Sequence, residues 1–292
     1  MPNPALNDGA FARETQAAQG AGAFTPGWGS PASELPPGIF DGQGTTTGPA
    51  TGSPVGTSDT MSINGTATAT GVLLALLCVA AWFGWQSVSV EIIGVRPNGD
   101  LVTNTSMPSW LWVAWLGGLG IAILTVFKPA LARITGPLYA VAQGLAVGAI
   151  SAIYEISFSG IVLQAVMLTV GVFAVMLVLF ATGTIKVTEK LRMGIIASTF
   201  AVLAVYLVSW IISLFSSGVP FIHDAGTFGI IFSLVVVGIA SANLLLDFDL
   251  AQRGVAMGAP KYMEWYAAFG LMVTLVWLYL EILRLLSKLR QN

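Results

Sequence analysis

Seven apolar segments follow Gly71, each close to the ~20 residues that a helix needs to cross the hydrocarbon of a bilayer. They run at about 71–88, 109–127, 137–157, 160–183, 194–216, 226–248 and 265–286. A chain built this way has little choice of solvent. Its 292 residues are 55% hydrophobic and only 9% charged, where a soluble domain carries about 25% charge. Such a surface faces lipid. The expected fold is therefore all-α, a polytopic membrane bundle of seven transmembrane helices over residues 62–292. Residues 1–60 read differently: "PGWGSPASELPPGIFDGQGTTTGPATGSPVGT" is Gly, Pro, Ser and Thr without periodicity, a composition expected to form a disordered tail. It lacks the basic start and apolar core of a secretory signal.

The same composition narrows function. A net charge of −2 suggests no nucleic-acid partner. One cysteine, Cys78, allows neither an internal disulfide nor a cysteine metal cluster, and one histidine, His223, poorly supplies a zinc site or a catalytic triad. No cofactor is expected, and no enzyme.

Charge in the connections sets an orientation. Lys128 and Arg133 follow the second segment, Lys186, Lys190 and Arg192 the fourth, and Arg253 and Lys261 the sixth, whereas Arg96 is the sole Lys or Arg of the alternate connections. The positive-inside rule makes the basic connections and the N-terminus cytoplasmic. The C-terminal "RLLSKLR" opposes this with Arg284, Lys288 and Arg290. Either these side chains snorkel at the outer face or the last segment does not fully cross. Trp110, Trp112 and Trp115 crowd the start of the second segment as interfacial aromatics do, and Pro137 is expected to start the third helix.

Small residues predict where helices touch. Gly136, Ala140, Gly144, Gly148 and Ala152 recur every four residues in the third segment, a face for close helix packing. Gly238 and Ala242 repeat the pattern more weakly in the sixth.

Acids are the chemistry-bearing residues. "LLLDFDLAQRG" holds Asp247 and Asp249, which point to nearly opposite sides of a helix. Asp249 has Arg253 one turn on, an i,i+4 pair with a structural role. Asp247 has Asn243 one turn before it, and the two form a polar strip expected to face the bundle interior. Glu281, in "LVWLYLEILRLL", is the second intramembrane acid; such residues mark ion or proton pathways, the bland alternative being a pair with Arg284. Glu155 lies near the outer boundary, and Glu189 and Glu264 sit in cytoplasmic connections where solvated charge is expected. If Asp247 and Glu281 meet, two carboxylates in a low-dielectric site cannot both ionise cheaply and titrate as a unit. Protonated they share a hydrogen bond; ionised they repel or attract a cation that favours oxygen ligands, such as Ca²⁺.

"SANLLLDFDLAQRG" and "LYLEILRLLSKLR", with "PLYAVAQGLAVGAISAIYE" and the early "NPALN", resemble the Bax inhibitor-1 family of seven-helix membrane proteins, in its bacterial branch. The resemblance covers about Ser62 to Arg290. It implies a pH-sensitive calcium leak in a bacterial cytoplasmic membrane, with Asp247 and Glu281 as sensor, gate and transient Ca²⁺ ligands. It also implies a basic partner for the first aspartate at the inner end of the second helix, either Lys128 or Arg133. Asn243, Asp249, Arg253 and Glu155 stand as possible supporting residues. Departures are Glu281 where the family has Asp in "LYLD", a longer connection carrying "GVAMGAPKY", and the N-terminal tail. A seventh helix entering at Trp265 would leave Glu281 nearer the outer face than Asp247; contact requires entry near Phe269. The alternative implied by the resemblance is a non-transporting regulator that modulates a membrane-bound AAA protease, with the tail as recognition arm. An intramembrane aspartyl protease fits less well, because the GxGD context is missing. A rhomboid-like serine enzyme is poorer still, its only histidine lying in a loop.

Overall fold

The structure, a computed structural model, describes residues 60–95, 101–106, 109–215 and 226–291. The tail expected over residues 1–60 lies outside these, apart from Thr60, as do Arg96 and His223. Among the described residues seven helices follow one another: α1 (Ile63–Gln86), α2 (Trp110–Phe127), α3 (Ala132–Ser157), α4 (Ile161–Ala181), α5 (Glu189–Phe215), α6 (Thr227–Ala256) and α7 (Met263–Gln291). By length and composition six of them are long and apolar enough to cross a membrane; α2 is shorter, at 18 residues. The all-helical membrane bundle expected from the seven segments is the observed fold.

One addition was not expected. The connection between α1 and α2 folds into an antiparallel hairpin, β1 (Ser89–Val95) with β2 (Leu101–Ser106), whose register shifts between Ile92 and Gly94. The signal was present in the sequence: β-branched residues recur in both strands, Val90, Ile92, Ile93 and Val95 in one and Val102, Thr103 and Thr105 in the other.

Five of the helices, α1, α3, α5, α6 and α7, are longer than their apolar runs, and at the start of α1 polar groups hold the added turns. α1 begins at Ile63, eight residues before the apolar run. Ser62 caps it, its Oγ accepting from Gly65 N at 3.0 Å. The hydroxyls of Thr66, Thr68 and Thr70 each donate to the carbonyl one turn back, so this polar turn needs no water. Glu264, expected to be solvated, is instead 6% exposed and accepts from Ser62 N and Ser62 Oγ, each at 2.9 Å. Together with Met61 N donating to Ala259 O at 2.7 Å, it ties the start of α1 to the α6–α7 connection. Pro137 also departs from expectation: it lies inside α3, which starts at Ala132 after a 3-10 turn over Pro129–Leu131.

α7 is the central helix, packed against α1, α3, α4 and α6, while α2 lies on α3 and α5 lies mainly on α6. The predicted small-residue face of α3 is its contact with α1. A methyl on Gly148 would collide with the carbonyl of Ala81, and one on Gly144 with the carbonyl of Leu77. Gly238 has nothing within 4 Å of the position a Cβ would take, so the weaker face on α6 is no such contact.

Candidate functional site

α7 runs antiparallel to α6 across a short connection, and this decides the depth of each acid. Asp247 lies nine residues before the end of α6, and Glu281 eighteen after the start of α7. At 1.5 Å per residue, Glu281 sits about 13 Å further from the shared end. α7 starts at Met263, before both Trp265 and Phe269. Near the far end, Lys288 Nζ donates to Gly229 O at 3.1 Å and to Ser233 Oγ at 2.9 Å, at the start of α6. The two acids are therefore both buried, 1% and 2% exposed, at different depths.

Glu281 has its own partners. Tyr206 Oη donates to its two carboxylate oxygens at 3.0 and 3.1 Å, Arg284 Nη1 does so at 3.0 and 3.1 Å, and Trp277 Nε1 reaches Oε1 at 3.3 Å. The Arg284 guanidinium also lies over the Tyr206 ring, 5.1 Å from its centroid. The pair with Arg284 that the spacing of three allowed is thus made. The strength of this cluster comes from its burial, where charge-assisted hydrogen bonds are poorly screened.

Asp247 shares its face of α6 with Asn243, as the spacing of four predicts. Asn243 Nδ2 donates to Thr199 Oγ1 at 2.9 Å and to Ile239 O at 2.8 Å, while Asn243 Oδ1 is buried with no hydrogen bond among the described residues. Thr199 and Tyr206 are seven residues apart on α5 and share one face. That face therefore meets the Asp247–Asn243 strip at one level and Glu281 at another, with buried Val202 between them. Sequence reading missed Thr199 and Tyr206, whose spacing of seven puts them on one helix face but does not say which helix they meet.

The supporting residues sort by position. Asp249 pairs with Arg253, as expected, and also with Arg192 of α5 at 3.2 Å. Lys128, the C-cap of α2, and Arg133, at the start of α3, are exposed, and neither forms an ion pair among the described residues. Glu155 caps α4, accepting from Gly160 N and, at 3.1 Å, from Val162 N. The basic C-terminal turn belongs to α7, and its Arg290 donates to Ser159 O at 2.6 Å and to Gln164 Oε1 at 3.0 Å across the bundle. No group of three or more His, Cys, Asp or Glu that could hold a metal occurs among the described residues.

Among the described residues, seven helices with α7 at their centre, and acids and their partners turned inward, define a multi-pass membrane protein. The family described as Bax inhibitor 1 like matches residues 3–291, nearly the whole chain, and the protein belongs to it. No curated protein and no solved structure matches the chain.

Proposed function

We propose that the protein is a pH-sensitive cation leak whose buried acids act at two depths along one face of α5 rather than as a hydrogen-bonded pair. The observation that carries this reading is the shared face of α5, where Thr199 bonds Asn243 and Tyr206 bonds Glu281. Asp247, Asn243 Oδ1 and Thr199 Oγ1 are oxygen donors of the type that suits Ca²⁺, with Ca²⁺ as permeant ion rather than resident cofactor. Glu281 is neutralised by Arg284, so a cation passing that level must displace the guanidinium. Ionised acid attracts cations, hence the leak rises with pH. The membrane is the bacterial cytoplasmic membrane, with the Asp249 end facing the cytoplasm, as the basic connections after α2, α4 and α6 favour.

The test is calcium flux into liposomes carrying the purified protein between pH 5 and pH 8, beside Asp247→Asn and Glu281→Gln. Flux that rises with pH and loses that dependence in Asp247→Asn is expected. Absence of flux from all three folded proteins would overturn the reading.

A further inference from the structure

At the end of the bundle away from the α6–α7 connection, a cavity of about 180 Å³ opens among α3, α5, α6 and α7. It is several times the space one water requires. Arg284, Ser287, Lys288 and Gln291 contribute to its wall from one face of α7, at helical spacings of three and four. Tyr154 and Tyr206 face them from α3 and α5. Among the described residues the wall holds two cationic side chains and no carboxylate. The nearest acid of α7, Glu281, lies one turn deeper, and both of its oxygens already accept hydrogen bonds.

Arg284 is only partly committed. All its hydrogen bonds among the described residues leave from Nη1, to Tyr206 and Glu281. Its Nη2 and Nε donors, on a side chain 37% exposed, are left for another acceptor. The Tyr154 hydroxyl and the Gln291 amide likewise make no hydrogen bond among the described residues. A half-used guanidinium, the buried Lys288 ammonium that also holds Gly229 O and Ser233 Oγ, the Tyr154 hydroxyl opposite and the Gln291 amide on the same helix form a receptor for a tetrahedral oxyanion. Depth agrees with this. α7 has 29 residues, about 43 Å of helix, against ~30 Å of hydrocarbon. Its last turns therefore reach the level of lipid headgroups.

We propose that this cavity binds a phosphate group, the chemistry shared by an anionic phospholipid headgroup and a free phosphate ion. The experiment titrates the full-length protein in neutral detergent with dihexanoyl-phosphatidylglycerol and, separately, with inorganic phosphate, reading heat and phosphorus NMR linewidth. At least one of the two binds, and Arg284→Gln and Lys288→Gln each weaken it tenfold or more. Tyr154→Phe and Gln291→Leu weaken it two- to fivefold and serve as probes should the cationic variants fail to fold. Arg253→Gln, at the opposite end, leaves binding unchanged. Saturation by the lipid alone assigns a headgroup, and saturation by both assigns the phosphate itself. No binding by either, or binding indifferent to all four cavity variants, overturns the proposal.

Discussion

Alanine at three glycines of α3 should separate contact from propensity. At Gly148 the added methyl would lie 2.6 Å from the carbonyl carbon of Ala81 and 2.7 Å from its Cα, and nearer still to its oxygen. At Gly144 it would lie 2.7 Å from Ala80 Cβ and 3.1 Å from Leu77 Cα. At Gly136 the nearest atoms are the two Leu73 methyls, at 3.6 and 3.7 Å, an ordinary contact. Carbon atoms at rest sit about 3.5–4.0 Å apart, so α1 and α3 must separate by roughly 1 Å to admit alanine at Gly148. Backbone cannot rotate aside as a side chain can. Overpacking of this kind costs about 1–3 kcal/mol, set against the ~1 kcal/mol by which alanine favours a helix over glycine. The expected order of thermal stability in detergent is Gly136→Ala at or above the parent, Gly144→Ala below it, and Gly148→Ala lowest. Equal losses at Gly136 and Gly148 would refute the reasoning, since only one of them meets backbone.

Removing the Glu264 carboxylate should free the first turn of α1. Glu264→Ala leaves two Ser62 donors without their buried acceptor, a loss of about 2 kcal/mol, and amide exchange there should quicken on the order of 30-fold. Gly65→Ala should quicken the same amides, because its methyl would occupy the place of that carboxylate; slow exchange in both variants would deny the tie. Tyr206→Phe keeps the ring against Phe232, with centroids 6.1 Å apart, but loses the hydroxyl shared by Glu281 and Arg284. A stability loss of about 1–2 kcal/mol is expected in a denaturation series, and none would mean that the hydroxyl bonds are not maintained. Asp249→Asn breaks the ties to Arg192 and Arg253; at a partly exposed helix end this costs about 1 kcal/mol or less and should vanish in high salt.

The local patterns were legible because they repeat within one helix. The spacing of four in α3 gave the contact face, since any neighbour that approached closely would use it. The spacing of four between Asn243 and Asp247 gave the polar strip, and the spacing of three gave the Glu281–Arg284 pair. Glu264 was misread as solvated because its partner, Ser62, lies 202 positions away. Thr199 and Tyr206 were passed over for the same reason: a threonine and a tyrosine in an apolar run become informative only when the helix that faces them is known.

Sequence by itself determined the solvent and the architecture, because a chain with so few charges and such long apolar runs must satisfy its backbone within helices in lipid. It also determined which acids would be costly to bury. Only the tertiary structure decided their depths. The entry point of α7 and its antiparallel register against α6 set Asp247 and Glu281 about 13 Å apart along the helices, and one turn of difference at Met263 would have moved every partner on α7. Helix formation is local, whereas register between helices is fixed by packing summed over their whole length.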